Sequence, residues 1–471
     1  MKIIIVGAGR VGTGVAESLV SEKNDITVID TNPQRLRELE DRLDLRGVPG
    51  NGIQPSVLEA AGAKDCDMLI ACAPLDETNL VCCKVAHDVF NIPTTIARIR
   101  SPEFPNDSPL MSKEGFAVDQ VICPEASLTT YIRKLIEYPE ALQVLEFAGG
   151  AVSLIAVRAA TGGPMVRHVI SELPQLVPNV EMRFVAIYRS DELGVDRQMV
   201  CDGTTRIEPG DEVFVLAATR DIRRVLDALR RRDEPVRRVM IAGGGRVGLR
   251  LAREIQDDCQ VKVIESSLSR CEYLTTQLRS EALVLQGDST DEDLLETENV
   301  QDTDLFLALT SDDEDNIMSC LLARRMGARR VLALINRRAY ADLVQGTKID
   351  IALSPAQTVI GELLAYVRRG DVEAVYSLRR GAAEALEAVA HGDRKTSKVV
   401  GRRIDELPQP QGAQIGAIVR TIHDAEVYRK VIIPHHDTVI ESDDHVIVFV
   451  PRKRMVREVE KLFQVGATFM F

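Results

Sequence analysis

Residues 3–12 read IIIVGAGRVG, and residues 239–248 read VMIAGGGRVG. Each is a short apolar run followed at once by the pattern G-x-G-x-x-G. The apolar run predicts a buried strand, and the glycines predict the tight turn from that strand into a helix. The first glycine allows the turn, the second lets the backbone approach a pyrophosphate, and the third lets the helix pack on the strand. The start of the helix then offers free N–H groups and partial positive charge to phosphates. An acid completes the pattern in each copy. ITVID (26–30) ends at Asp30, which lies 18 residues after Gly12, and VKVIE (261–265) ends at Glu265. That is where a carboxylate accepts from ribose hydroxyls. A carboxylate there also repels a 2′-phosphate, so NAD(H) or an adenosine nucleotide is favoured over NADP(H).

The two runs stand 236 residues apart, and the likeness continues far beyond them. AKDCDMLIACAPLDETN (63–79) pairs with VQDTDLFLALTSDDEDN (300–316), and IARIRSPEF (96–104) pairs with LALINRRAY (332–340). Residues 123–147 pair with 353–378 in the same order. Blocks matched in one order mean a duplicated chain. In the first copy, strands are predicted near 2–6, 26–30, 45–49, 67–72, 94–99 and 119–123, with helical patterns such as Arg10–Ser21 and Asn32–Leu43 between them. Apolar strands alternating with helices predict a doubly wound parallel sheet. The remainder of each copy carries shorter β-like runs: VSLIAV (152–157), MRFVAIY (182–188) and EVFVLAA (212–218), then 415–420, 430–433 and HVIVFV (445–450). The expected fold is therefore α/β: a tandem repeat of a Rossmann-like doubly wound parallel sheet followed by a small α+β module. The expected domains are 1–124, 139–230, 235–354 and 370–465, with the charged stretch from Leu229 to Pro235 as the linker between copies.

Composition narrows the function. The chain has 471 residues, 58 Lys+Arg against 71 Asp+Glu, and a net charge of −13. Phosphate backbones repel such a protein, so nucleic acid is not expected as a partner. Aromatics are 4% and Trp is absent, which leaves little to stack on bases. No stretch approaches the roughly 18–20 apolar residues that span a bilayer. The opening Met1–Gly7 is too short for a signal peptide core and reads as a strand. Nine cysteines, an odd number with no C-x-x-C, fit a reducing cytosol rather than a disulfide framework.

The candidate site in the first copy is Gly7, Ala8, Gly9, Arg10, Val11, Gly12 and Asp30. Arg98 joins them because it ends the fifth strand, where a cation can reach a phosphate. Ala73 and Pro74 join at the end of the fourth strand, beside the adenine side of a nucleotide. The second copy offers Gly243, Gly244, Gly245, Arg246, Val247, Gly248 and Glu265, but Leu334 stands where the first has Arg98. The two sites are therefore expected to be unequal. Asp76, Glu77 and Asn79 read as caps of the following helix. Catalytic apparatus is not legible: there is no G-x-S-x-G, P-loop or H-E-x-x-H. His435-His436 has no third ligand at metal spacing, and His87 sits mid-helix. Nucleotide sites without a general acid or base point to sensing rather than chemistry. An NAD-dependent oxidoreductase and a nucleotide-independent scaffold are the competing readings.

The whole chain resembles the tandem RCK-domain family, whose members regulate potassium conductance. The resemblance is carried by IVGAGRVG (5–12), DETN (76–79), ARIRSPEF (97–104) and LIEYPEALQVLEF (135–147). The second copy adds LLARRMGARRV (321–331), VYSLRRGAAEALEAVAHGD (375–393) and TSKVVGR (396–402). It implies a cytosolic regulatory subunit without enzymatic activity. Such subunits form rings, typically tetramers, on the cytoplasmic face of the inner membrane under an integral-membrane potassium transporter subunit. It implies binding of NAD(H) and of ATP or ADP, with contacts carried over to the residues above and also to Thr310. The segments Glu125–Tyr138 and Pro355–Arg369 read as amphipathic helices leaving each sheet, and they are expected to act as crossover helices at a dimer interface.

Overall fold

A computed structural model of the chain describes residues 1–20, 22, 24–190, 196–199, 201–230, 234–344, 348–367, 372–379, 383–423 and 427–464. Part of the expected linker, part of Pro355–Arg369 and residues 465–471 lie outside these residues. The first copy begins β1 (Lys2–Val6), α1 (Arg10–Val20), β2 (Asp25–Asp30), α2 (Pro33–Glu40), β3 (Arg46–Pro49), α3 (Pro55–Ala60), β4 (Met68–Ala71), α4 (Asp76–Phe90), β5 (Thr94–Arg98) and β6 (Gln120–Ile122). After α5 (Pro124–Glu137) come β7 (Ala141–Phe147), β8 (Val152–Arg158), α6 (Leu173–Leu176), β9 (Met182–Ser190), β10 (Asp196–Met199), β11 (Glu212–Ala218) and α7 (Ile222–Leu229).

The second copy repeats this plan. It runs β12 (Arg238–Ala242), α8 (Arg246–Ile255), β13 (Gln260–Glu265), α9 (Leu268–Gln277), β14 (Leu283–Gln286), α10 (Glu292–Thr297), β15 (Leu305–Ala308), α11 (Asp313–Arg325), β16 (Arg330–Leu334), α12 (Arg338–Leu343) and β17 (Ile351–Leu353). Then follow α13 (Pro355–Val367), β18 (Val372–Leu378), β19 (Ala383–Ala390), β20 (Gln414–His423), β21 (Val427–Ile432), β22 (Asp444–Val450) and α14 (Val456–Phe463).

The chain forms two compact units. One holds Met1–Thr130 and Val239–Ile360, the other Tyr131–Arg238 and Gly361–Phe471.

The first unit carries the two parallel sheets. Their orders are β3-β2-β1-β4-β5-β6 and β14-β13-β12-β15-β16-β17. In each, the strand order reverses at the central pair, and it is at the carboxyl ends of such a pair that ligands bind in open α/β sheets. Ile3, Ile4, Ile5 and Val6 are all buried, because helices cover both faces of the sheet. That is why the strand reads as an unbroken apolar run.

The second unit carries the two antiparallel sheets, ordered β10-β9-β11-β8-β7 and β18-β19-β22-β20-β21. On one face of the first, Ile155, Val157, Val213 and Val215 pack beneath α7. That helix buries Ile222, Val225, Leu226 and Leu229, the i, i+3, i+4, i+7 stripe of an amphipathic helix. The alternate residues Leu154, Ala156, Phe214 and Leu216 point the other way. They share one core with Ala385, Ala417, Ile447 and Phe449 of the second sheet. Phe147 and Tyr376 meet edge to face across it, with ring centroids 5.0 Å apart.

Each module also repeats one ion pair. Arg189 grips Asp211 through Nε and a terminal nitrogen at 2.7 and 2.8 Å, and Arg420 grips Asp444 likewise at 2.8 and 2.8 Å. The same two carboxylates accept the Glu208 and Glu441 N–H groups, closing the turns before β11 and β22. The aspartates are 1% and 0% exposed, so bidentate pairing is what makes their burial tolerable.

Candidate nucleotide-binding sites

The glycine loop joins β1 to α1 at the centre of the first sheet. Gly7 has φ +104°, a conformation that favours glycine, and its N–H donates to the Ile29 carbonyl at 2.7 Å. A Cβ on Gly12 would stand 1.9 Å from the Gly7 carbonyl oxygen. These two glycines are therefore required by the fold itself. Gly9 is different: a Cβ there would meet nothing within 4 Å among the described residues. The second copy behaves the same way. Gly243 has φ +103°, a Cβ on Gly248 would lie 2.0 Å from the Gly243 oxygen, and one on Gly245 would meet nothing within 4 Å. Packing alone accounts for the outer glycines and leaves the middle ones unexplained. Open space over the middle glycine, ahead of the unpaired first-turn N–H groups of the helix, fits a pyrophosphate lying against backbone.

The acids sit where the spacing put them. Asp30 Oδ2 accepts the Ala8 N–H at 2.6 Å, and its Oδ1 accepts the Asn32 N–H at 2.7 Å. Glu265 holds Gly244 at 3.0 Å and Ser267 at 2.9 Å in the same way. Each carboxylate thus ties the glycine loop to the next helix. Each oxygen keeps a second lone pair to accept a ribose hydroxyl.

The end of β4 approaches the loop closely: a Cβ on Gly7 would lie 2.9 Å from the Cys72 oxygen and 3.1 Å from the Ala73 nitrogen. The polar backbone of Ala73 is occupied. Asn79, fully buried, accepts from the Ala73 N–H at 2.7 Å and donates to the carbonyls of Ala73 at 3.1 Å and Arg98 at 2.7 Å. Arg100 donates to the Pro74 carbonyl. Ala73 and Pro74 therefore present a mainly apolar edge. In the second copy Asn316 makes the same three bonds, to the Thr310 N–H, the Thr310 carbonyl and the Leu334 carbonyl, at 2.9, 3.1 and 2.9 Å.

The reading of Asp76 and Asn79 as helix caps is corrected by these contacts. The α4 N-cap is Leu75, without a side-chain cap. Asp76 instead accepts from the Arg100 and Ser101 N–H groups, both at 3.0 Å, closing the loop after β5. Asp313 does the same for Asn336 and Arg337 at 2.9 and 2.8 Å. Capping does occur in the acidic run of the second copy, where Asp312 accepts from the Asp315 N–H at 3.0 Å.

All the expected residues of the first copy gather along the carboxyl edge of β2, β1, β4 and β5. Arg10 and Arg246 are exposed at the first position of α1 and α8, while Val11 is buried and Val247 half-buried. Arg98 is in place but not free. It pairs with Glu125 of α5 at 2.6 Å, and its Nε is buried without an acceptor among the described residues. Register confirms the asymmetry, since Ala71 lies opposite Ala97 and Ala308 opposite Ala333, which aligns Arg98 with Leu334. Sequence reasoning missed two features of these sites. One is the Glu125 partner of Arg98, whose only signal was an acid at the start of an amphipathic run. The other is Arg270, whose Nε donates to the Gly244 carbonyl at 2.8 Å and whose guanidinium lies 4.7 Å from the Tyr273 ring centroid.

A parallel sheet with a glycine loop and a strand-end acid, followed by a small antiparallel module, and all of it present twice, defines a tandem Rossmann-type architecture. The TrkA-N domain family matches residues 3–124 and 239–355, and the TrkA-C domain family matches residues 394–464. The Trk system potassium uptake protein TrkA of Halomonas elongata is 53% identical over 469 residues, covering 100% of both chains. That of Vibrio alginolyticus is 50% identical over 471 residues, again covering 100% of each. The chain belongs to the TrkA family. Among solved structures, the GsuK RCK domain matches with a TM-score of 0.59 at 16% identity, over 98% of this chain and 94% of that one. The GsuK channel bound to NAD matches with a TM-score of 0.58 at 16% identity, over 98% and 78%. At that identity the likeness is one of fold. Among the described residues, no helix is long and apolar enough to cross a membrane.

Proposed function

We propose that the chain is the nucleotide-binding regulatory subunit of a Trk-type potassium uptake system. It works on the cytoplasmic face of the inner membrane, as a homotetrameric ring docked on an integral-membrane potassium transporter subunit. Its four domains are 1–124, 139–230, 235–354 and 370–465. NAD(H) binds at Gly7 to Gly12, Asp30, Ala73, Pro74 and Arg98, and ATP or ADP competes there. Gly243 to Gly248, Glu265 and Thr310 form a second, weaker site. It lacks a counterpart of the Arg98 cation, because Leu334 stands in its place. No reaction is catalysed: the nucleotide acts by binding two conformations of the subunit with different affinity, which is the only way a ligand shifts an equilibrium.

The observation that carries this reading is the unfilled space at Gly9 and Gly245 between glycines that the fold does need. Calorimetric titration with NAD, NADH, ATP and ADP tests it on wild type, Asp30→Lys and Glu265→Lys. Heat that disappears only in Asp30→Lys makes the first copy the sensor, and loss in each mutant separately means two working sites. A folded wild type that binds none of the four overturns the proposal. Substrate-dependent change in nicotinamide absorbance would replace it with an oxidoreductase.

A further inference from the structure

The second antiparallel module contains a polar cluster that nucleotide binding does not use. Glu373 of β18, Glu387 of β19 and His445 of β22 converge on its inner face, and one ligand atom from each lies within 4.8 Å of the others. His445 Nδ1 stands 2.7 Å from Glu387 Oε1 and 3.3 Å from Glu373 Oε2. We infer that these three side chains form a binding site for a divalent transition-metal ion of the zinc type. The donor set is one imidazole nitrogen and two carboxylate oxygens, with a fourth position open, a pattern that suits zinc. Ligand atoms around a tetrahedral ion with bonds of about 2.0–2.1 Å stand about 3.3 Å apart. The Glu373–His445 pair already has that separation. The His445–Glu387 pair, at 2.7 Å, has to open by about 0.6 Å as the ion takes the place of the shared proton, and the exposed Glu373 side chain can swing to meet the ion.

Three further observations support a site rather than a chance meeting. Glu387 is 3% exposed on a face otherwise packed with Ala385, Ile447 and Phe449, so its charge needs a partner. Its second oxygen, Oε2, is fixed by the Ala148 N–H at 2.9 Å, which leaves Oε1 aimed at the cluster; such outer contacts orient metal ligands. The cluster is also specific to one copy. Glu387 lies opposite Ile447, and Ala156 lies opposite Phe214 in the matching register of the first module. The positions equivalent to Glu373, Glu387 and His445 are thus Leu142, Ala156 and Glu212. Two of the three ligands therefore have apolar counterparts, so the set is not a by-product of the duplicated scaffold. No sequence spacing could reveal it, because three separate strands bring the ligands together.

A bound ion would pin β18, β19 and β22 at the point where the Ala148 turn of the first module hydrogen-bonds to Glu387. Metal occupancy would then stiffen the junction between the two modules. The inference does not depend on nucleotide binding. The test is a titration of the metal-stripped full-length protein with Co²⁺, followed by visible absorption and then displaced with Zn²⁺. One ion per chain is expected, with a tetrahedral-type spectrum that Zn²⁺ removes. His445→Gln and Glu373→Gln should each weaken binding by tenfold or more. The exposed Glu373 makes its variant safe for folding, and a His435→Asn/His436→Asn double variant should bind as wild type. No spectrum in wild type, or one that both ligand variants retain, overturns the inference and leaves His445 and Glu387 as an ion pair.

Discussion

The Asp30 carboxylate accepts the Ala8 N–H at 2.6 Å, so the acid expected to hold a ribose also shapes the loop expected to hold the phosphates. The two functions separate by experiment. Asp30→Ala leaves the Ala8 and Asn32 N–H groups without their acceptor. Each unpaired buried donor costs about 1–3 kcal/mol, less where water reaches it. The expected result is a urea midpoint lowered by about 1–3 kcal/mol of stability. Asp30→Asn keeps one acceptor oxygen, for the Ala8 N–H, but turns an amide donor towards the Asn32 N–H, so it should recover only part of that stability, while losing tenfold or more in nucleotide affinity.

The glycines divide in the same way. Gly12→Ala drives a Cβ into the Gly7 carbonyl, and overpacking of this kind costs about 1–3 kcal/mol or more. Gly9→Ala meets open space and should leave the thermal midpoint nearly unchanged while weakening nucleotide binding in calorimetry. Equal loss of stability in both variants would contradict this division.

Asn79 joins β4 to β5 by three hydrogen bonds from a fully buried amide. Asn79→Ala should cost about 2–4 kcal/mol, because two carbonyls and one N–H lose their partner together. Asn79→Asp should be worse, since a carboxylate cannot donate to the Ala73 and Arg98 carbonyls. Denaturant unfolding of the two variants checks the order.

The paired latches of the antiparallel modules give a fourth expectation. Asp211→Ala leaves Arg189 facing an empty site and should destabilise by about 3–5 kcal/mol, the usual cost of breaking a buried pair from one side. Asp444→Ala should cost less, because Arg420 keeps the Glu441 carboxylate as a partner. Thermal melts of the single variants test the order.

Three thiols should be nearly silent in the native protein. Burial pushes Cys72 and Cys82 up to about 12, and burial raises Cys201 to about 12 as well. At pH 8 the thiolate fraction of such a group is on the order of one in ten thousand. Reaction with a disulfide reagent should therefore be slow at these three positions and rise about tenfold per pH unit. The half-buried Cys123 and Cys259 should react before them in the native protein.

The sequence made the parallel sheets legible because their strands are buried on both faces and bounded by glycine turns. The six strands of the first sheet lie where the apolar runs placed them, within a residue or two at most ends. The antiparallel modules were read only in part. Residues 383–390 read AEALEAVA, a helix-forming composition, yet form β19 with all eight residues buried. Pairing with β18 on one side and β22 on the other overrides that propensity. The strands β7 and β18 were also missed, because each follows directly on an amphipathic helix and its alternation is weak. At the site, glycines and acids were legible because their spacing is local. Glu125 beside Arg98 was not, because folding alone brings the fifth strand to the crossover helix.

The shared core of the two antiparallel modules sets a timetable for synthesis. Ala148 and Glu387, bonded across the junction, are 239 residues apart. At about 5–20 residues per second, roughly 12–48 s separate the emergence of one from that of the other. Until that interval ends, Leu154, and Phe214 and Leu216 once they are made, have no second sheet to cover them. The nascent first half leaves the ribosome as an adhesive surface. It has two ways to be covered: by its own later half, or by the matching face of another nascent chain on the same message.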